Sequence, residues 1–194
     1  YPPSTQNAMS DTGQKKLEHI LMERSVRHGN FILASGKSST VYVDVRLTTM
    51  NPEGMVLIGS LALGRILSLG WNPDSVGGLT LGADPVAFAI SFSSANSPRP
   101  IRAFTVRKEA KSHGRGNLIE GPFQSGDQIV VVEDVITTGK SALQAIESIE
   151  QAGGQIQGVL AIVDREDGGR EKIESRGFAV TALTTIANLV SPAV

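Results

Sequence analysis

The sequence predicts an α/β protein whose central, mostly parallel sheet is flanked by helices. Three observations carry that prediction. Beyond Gly70 the chain alternates strand, loop and helix, an order that implies right-handed crossovers between parallel strands. Ile129-Val130-Val131-Val132 is an unbroken β-branched run, as expected of a parallel strand covered on both faces. A length of 194 residues, 40% of them hydrophobic, suits one compact domain with a full core.

The elements follow in order. Lys16 to Val26 has helical spacing, with Leu17, Ile20, Leu21 and Arg24 recurring at three to four residues. Ser35-Gly36-Lys37-Ser38-Ser39 reads as a turn, and Val41 to Val45 alternates as a strand does. Pro52 stands where a helix begins; apolar residues continue to Leu69, and Gly70 closes the helix. Val76 to Leu79 is a short strand, Pro85 to Phe92 a short helix, and Ile101 to Val106 another strand. After the run at Ile129, Ser141 to Gln151 is helical, with Leu143, Ile146 and Ile149 on one stripe. That helix ends at Gly153-Gly154, and Val159 to Val163 is the next buried strand. Ligands on such sheets lie at the carboxyl ends of the strands, so the segments that follow each strand carry the chemistry.

Bulk properties exclude several classes. With 18 Lys and Arg against 19 Asp and Glu, the formal net charge is -1, without the general basic excess of a nucleic-acid binder. Any anionic ligand must therefore meet local positive charge. There are no cysteines, which excludes disulfides, thiolate catalysis and thiolate metal sites and fits a reducing cytoplasm. The most apolar stretch, Met55 to Leu69, is short and interrupted by Gly59, Ser60, Gly64 and Arg65, so no membrane span is expected. Tyr1 to Ala8 lacks the basic start and apolar core of a signal peptide, and is read as a remnant preceding a native start at Met9.

The strand at Ile129 runs into Glu133-Asp134-Val135-Ile136-Thr137-Thr138-Gly139-Lys140-Ser141 and then a helix. Free backbone N–H groups and the helix dipole at such a start bind phosphate. Gly139 allows close approach of the backbone, and Thr137, Thr138 and Ser141 add hydroxyl donors. Adjacent carboxylates accept hydrogen bonds from vicinal hydroxyls such as those of ribose. One segment could thus hold both halves of a ribose 5-phosphate; the bland alternative is a strand end with capping residues. Gly139-Lys140-Ser141 also matches the end of a Walker loop, but that motif needs glycine where Asp134 stands, and the Walker reading is rejected.

Val131 to Gly139 resembles the phosphoribosyl pyrophosphate signature of the type I phosphoribosyltransferases. The resemblance implies that Glu133 and Asp134 bind the ribose hydroxyls and that the segment Thr137 to Ser141 wraps the 5-phosphate. It also implies that family's fold, with a small N-terminal hood at approximately residues 9–50 and a core at approximately 51–190 of a single domain.

A second segment, Val106 to Gly116, is glycine-punctuated and rich in cations. An exposed solvated loop would look the same. Its chemistry nevertheless suits a leaving group with several negative charges: Arg grips phosphate in a fork, Lys serves as a mobile point charge, and His113 is the natural proton donor. A flexible loop can also close and exclude water. The stretch is similar to the mobile catalytic loop of orotate phosphoribosyltransferases, with the pattern Val-Arg-Lys-x-x-Lys-x-His-Gly. By that resemblance Arg107, Lys108, Lys111 and His113 contact pyrophosphate, and the loop reaches the neighbouring subunit of a homodimer.

Two further segments look like the same family. Phe31 to Asp44 resembles its hood over orotate. Asp164-Arg165-Glu166 resembles its Asp-Arg-x-Glu, in which the arginine holds the orotate carboxylate; without the resemblance, a strand-end ion pair is an equal alternative. Thr137 also contacts orotate in that family. Departures exist. Gly82-Ala83-Asp84-Pro85 stands where many relatives have Tyr-Lys in a pyrophosphate loop, and Ala34 where some have a hood lysine, with Lys37 three residues on. The family's non-proline cis peptide is expected between Ala83 and Asp84.

The implied reaction is transfer of the phosphoribosyl group from phosphoribosyl pyrophosphate to orotate, giving orotidine 5'-phosphate for pyrimidine synthesis. Asp134 joins the loop cations among the catalytic candidates. Mg2+ is implied as cofactor, carried by substrate and water without a protein cage. Two other readings stay open: a phosphoribosyltransferase for another base, and a non-catalytic regulator that binds phosphoribosyl pyrophosphate.

Overall fold

The computed structural model describes residues 5–32, 36, 38–109 and 118–190. The chain begins with α1 (Thr5–Arg24), the hairpin β1 (Val26–Ile32) and β2 (Ser38–Val43), and a single turn α2 (Arg46–Thr49). Then come α3 (Pro52–Ser68), β3 (Ser75–Leu79), α4 (Ala83–Ser94), β4 (Arg102–Val106) and β5 (Ile119–Glu120). The second half holds β6 (Gln128–Ile136), α5 (Lys140–Gln151), β7 (Gln155–Asp164), α6 (Gly169–Glu174), β8 (Val180–Thr185) and α7 (Ile186–Val190). None of the described helices is long and apolar enough to cross a membrane.

Six strands form the central sheet in the order β5-β4-β3-β6-β7-β8, parallel except where β5 joins β4, and β1 pairs antiparallel with β2 apart from it. The expected mostly parallel sheet is thus the observed one. Its two faces are filled by alternate residues of the same strands. Val130 and Val132 join Val76, Leu160 and Ile162 in one core with Leu17 and Leu21 of α1, Ile58 and Ile66 of α3 and Ile90 of α4. Ile129 and Val131 turn to the other side, with Val106, Val159 and Ala161 and with Ala145, Ile146 and Ile149 of α5. Complete burial of Ile129 to Val132 explains why this stretch is β-branched and lacks a polar alternation.

The order reverses between β3 and β6: the chain proceeds outward to β4 on one side, and to β7 and β8 on the other. A crevice at the carboxyl ends of two such strands is the usual ligand position of an open α/β sheet. Here it is widened by unequal pairing. β6 stays registered with β3 only through Gly77↔Val131, whereas its ladder with β7 continues to Ile136↔Asp164.

Several boundaries differ from the sequence reading. The first helix starts at Thr5, not Lys16, because its early part carries no apolar stripe to reveal it; Gln14 there donates to the Leu183 carbonyl. It ends before Val26, which pairs with Val43. β2 stops before Val45 because the Asp44 carboxylate accepts the Arg46 amide and turns the chain into α2. β6 runs four residues beyond Val132, since the β7 ladder alone satisfies its backbone, so Glu133 and Asp134 lie on a strand rather than in a loop. The cis peptide is Thr80-Leu81, not Ala83-Asp84. Ala83 and Asp84 already belong to the first turn of α4, whose helical dihedrals require trans bonds, and Pro85 fits that turn because its missing N–H has no partner to lose.

β3 is buried along its whole length, and a Cβ on Gly78 would overlap the Val132 carbonyl of β6 and crowd the Ala83 side chain, 2.7 Å away. Gly78→Ala is therefore expected to destabilise the fold by about 1–3 kcal/mol, the usual cost of overpacking. Urea unfolding monitored by circular dichroism measures it; an unchanged midpoint would show that the sheet yields at no cost.

Candidate active site

The unequal ends of β3 and β6 open a cleft of about 580 Å³. One wall is the end of β6 and the turn after it: Glu133, Asp134, Val135, Thr137, Thr138, Lys140 and Ser141. Facing segments contribute Tyr42, Val43, Asp44 and Arg46 after the hairpin, Leu79 to Gly82 after β3, Lys108 after β4 and Arg165 after β7. Every contributing strand but β2 belongs to the parallel part of the sheet, and each contributes through its carboxyl end.

The turn into α5 forms a smaller cup of about 70 Å³ within this cleft, lined by Glu133 and by the residues from Val135 to Ala142. Gly139 takes φ +72, and a Cβ there would stand 2.7 Å from the Gly169 carbonyl, so glycine is required on both counts. The amides from Thr137 to Ser141 have no acceptor among the described residues. Five free donors at the start of a 12-residue helix bind an anion by hydrogen bonds and by the helix dipole together.

Above the cup stands the acidic pair. Glu133 is only 5% exposed, and its Oε1 has no hydrogen-bond partner within the described protein. Burial, and then the adjacent Asp134 charge, hold its carboxyl well above the usual carboxylate range. Burial also raises Asp134, opposed by the Val135 amide, which donates to its Oδ1 at 2.8 Å, and by the nearby Arg46. Gly82 packs directly on this carboxylate: a Cβ on it would lie 2.5 Å from Asp134 Oδ1. An unpartnered buried acid beside an anion cup is unsatisfied until a ligand with hydroxyl donors fills the space.

Arg165 enters from β7. Its amide donates to the Ile136 carbonyl, its Nε lies 3.3 Å from Asp167, and its side chain is 10% exposed. Glu166, with φ +57, forms the bend behind it and donates its amide to Asp164. A guanidinium so restrained presents a fork for a planar carboxylate.

The expected site residues divide as follows. Lys108, Glu133, Asp134, Val135, Thr137, Thr138, Lys140, Ser141 and Arg165 meet in the cleft, and Gly139 lines the cup. Ile136 lines the cup and is also part of the buried core. Arg107 is not on the cleft wall; its Nη1 lies 3.8 Å from Glu120 and its Nε donates to the Glu109 carbonyl. Lys37, Lys111 and His113 lie outside the described residues. Sequence reasoning missed Arg46, Thr80 and Leu81 as cleft residues. The signal available for Arg46 was Asp44 two positions before it, ahead of a helix start, a pattern too short to stand out.

No protein-family model matches the chain. It is 44% identical over 180 residues to the orotate phosphoribosyltransferase of Aquifex aeolicus, covering 91% of this chain and 97% of that protein. To the Mycobacterium avium orotate phosphoribosyltransferase it is 45% identical over 181 residues, with 93% and 98% covered. Among solved structures, Mycobacterium tuberculosis orotate phosphoribosyltransferase in complex with 5-phospho-alpha-D-ribosyl 1-diphosphate superposes with a TM-score of 0.75 at 40% identity, covering 91% of this chain and 98% of that one.

The raised Glu133 carboxyl has a stability consequence. The native state holds this proton to higher pH than the unfolded chain does, so its contribution is complete at acid pH and is lost as pH rises through the native value. Glu133→Gln is expected to raise Tm by roughly 2–4 °C near pH 8, with the gain vanishing near pH 4. Differential scanning calorimetry across that range is the check; a gain that grew toward acid pH would contradict the assignment.

Proposed function

The chain belongs to the orotate phosphoribosyltransferase family, and on that premise we propose that its cleft transfers the phosphoribosyl group of phosphoribosyl pyrophosphate to orotate. The single observation that carries the residue assignment is one cleft uniting an anion cup, a buried acidic pair in which Glu133 Oε1 has no partner among the described residues, and a restrained arginine. On this reading the 5-phosphate occupies the cup, held by the amides from Thr137 to Ser141 and by Lys140. Glu133 and Asp134 accept the ribose hydroxyls, and Arg165 takes the orotate carboxylate in its fork. Arg107, Lys108, Lys111 and His113 serve the pyrophosphate, and Lys37 the hood side of the site.

In the reaction the bond from the anomeric carbon to pyrophosphate breaks, and an orotate nitrogen forms its bond to that carbon from the opposite face, giving up its N–H proton to water. The ribose ring becomes electron-poor meanwhile, which the neighbouring carboxylates favour electrostatically. Positioning does the remainder, because both reactants are held by groups already in place. His113 supplies a proton to the departing pyrophosphate.

Mg2+ is part of the proposal. Among the described residues no group of three or more His, Asp or Glu side chains could hold a metal. The Glu133 and Asp134 oxygens nevertheless suit an ion that takes most of its ligands from phosphate, sugar hydroxyls and water. When bound, the ion offsets charge on the pyrophosphate.

We further propose a homodimer in the cytoplasm, in which the segment Val106 to Gly116 of each subunit serves the partner's site. Exposed apolar residues support an interface: Leu47 on α2, Met50 just after it, Val56 on α3, and Phe88 and Phe92 on α4, the last 79% exposed. Leu47, Met50 and Leu81 line a groove of about 440 Å³ that adjoins the cleft through Asp44 and Arg46.

The decisive measurement is orotate consumption, followed by absorbance, with phosphoribosyl pyrophosphate and Mg2+; an inert protein, or one that prefers another base, would overturn the reading. Arg165→Ala is expected to raise KM for orotate about 100-fold, as loss of charge-assisted hydrogen bonds implies. Lys111→Ala should lower kcat far more than orotate affinity, and equal losses in both would remove Lys111 from its assigned role.

A further inference from the structure

Arg46 is a cleft cation that the proposed function leaves unused. Its Nε donates to Asp44 Oδ1 at 2.8 Å and its Nη2 to Asp44 Oδ2 at 3.0 Å, while its own amide donates to the same carboxylate at 3.1 Å. This two-pronged pair fixes the guanidinium plane and holds the Asp44 carboxyl below the usual range. The Nη1 corner has no partner among the described residues. A purely structural ion pair at a one-turn helix would need none of the surroundings found here.

Those surroundings point to an anion. Arg46 lines the main cleft together with Leu81 and Gly82, whose amides have no acceptor among the described residues. Asp134 acts electrostatically on the Arg46 charge, so the guanidinium lies within range of the acid assigned to the ribose hydroxyls. The cleft wall carries four cations, Arg46, Lys108, Lys140 and Arg165, against the acids Asp44, Glu133 and Asp134. Lys140 also lines the cup, and Arg165 has its Nη2 3.5 Å from the Ser39 hydroxyl. Arg46 and the amides after β3 therefore form a positive wall beside Asp134.

We propose that Arg46 binds the diphosphate of the phosphoribosyl donor, with Asp44 holding its guanidinium in the orientation that leaves Nη1 and the Leu81 and Gly82 amides facing the same anion. The inference rests on the proposed function for the identity of the donor, but not for the presence of a diphosphate subsite. Pre-set geometry of this kind strengthens binding, because little side-chain freedom remains to be lost when the ligand arrives. It also gives a wall that responds to the leaving group in both directions of the reaction.

The test compares wild type with Arg46→Ala and Arg46→Lys in steady-state kinetics run forward and in reverse. KM for the phosphoribosyl donor and KM for inorganic pyrophosphate should each rise about 10–100-fold in Arg46→Ala, as loss of charge-assisted hydrogen bonds implies. KM for orotate should stay within about twofold, and Arg46→Lys, which keeps the charge without the fork, should fall between. Equal rises for orotate and pyrophosphate would mark a structural role and overturn the proposal, as would unchanged pyrophosphate binding. Should removal of one charge prevent folding, Asp44→Asn with Arg46→Gln removes both and leaves no carboxylate unpaired; the same KM pattern is required of it. If wild type proves inert toward orotate, the proposed function fails alone: calorimetric titration of inorganic pyrophosphate into wild type and Arg46→Ala then decides this subsite, supported by loss of binding and overturned by equal binding.

Discussion

The cleft depends on one asymmetry of hydrogen bonding. β6 shares its ladder with β3 for only a few residues, yet keeps pairing with β7 to its end. Had both neighbours continued, the cleft would be filled by strand, and Glu133 and Asp134 would be packed like the valines before them. Had both stopped, these acids would sit on a free loop, with no fixed relation to the turn that follows. One continuing ladder holds the pair rigidly while one missing ladder leaves room in front of it. The same β7 pairing delivers Arg165, since its amide is bound to the Ile136 carbonyl just before the anion cup.

The electrostatics of the cleft make sense only with ligand present. A buried carboxylate with an unpartnered oxygen, a neighbouring acid also pushed upward by burial, and a row of free amides all cost stability in the isolated protein. The apolar core on both faces of the sheet offsets that cost, and Ile129 to Val132 are completely buried in it. Acidic and basic groups are interleaved in the cleft: Arg46 is tied to Asp44 and influenced by Asp134, and Glu133 and Lys140 line the same cup.

Much of this was legible locally. The β-branched run, the strand–loop–helix alternation and the Pro52 helix start are periodicities within single elements, and each appears in the structure near its expected place. The segment Glu133 to Ser141 declared its chemistry because phosphate turns need glycine, hydroxyls and a helix start in succession. Less legible were the hairpin strand β1, the single turn α2 and the two-residue β5, which are too short or too irregular to show a period. The cis bond was expected a few residues late because the start of α4 cannot be read from a sequence in which Pro85 fits several positions of a first helical turn.

What the sequence determined by itself was therefore the inventory and its chemistry: a parallel sheet, a phosphate turn preceded by two acids, an arginine after the next strand. These are encoded by neighbours along the chain, where spacing and residue type suffice. What only the tertiary structure decided was company. It ran β6 on beside β7, turned Arg107 toward Glu120, laid Gly82 on the Asp134 carboxylate and brought Arg46 to the cleft wall. Each of these is a contact between segments far apart in sequence or a choice among exposed rotamers, and such contacts are set by the packing of whole layers rather than by any local pattern.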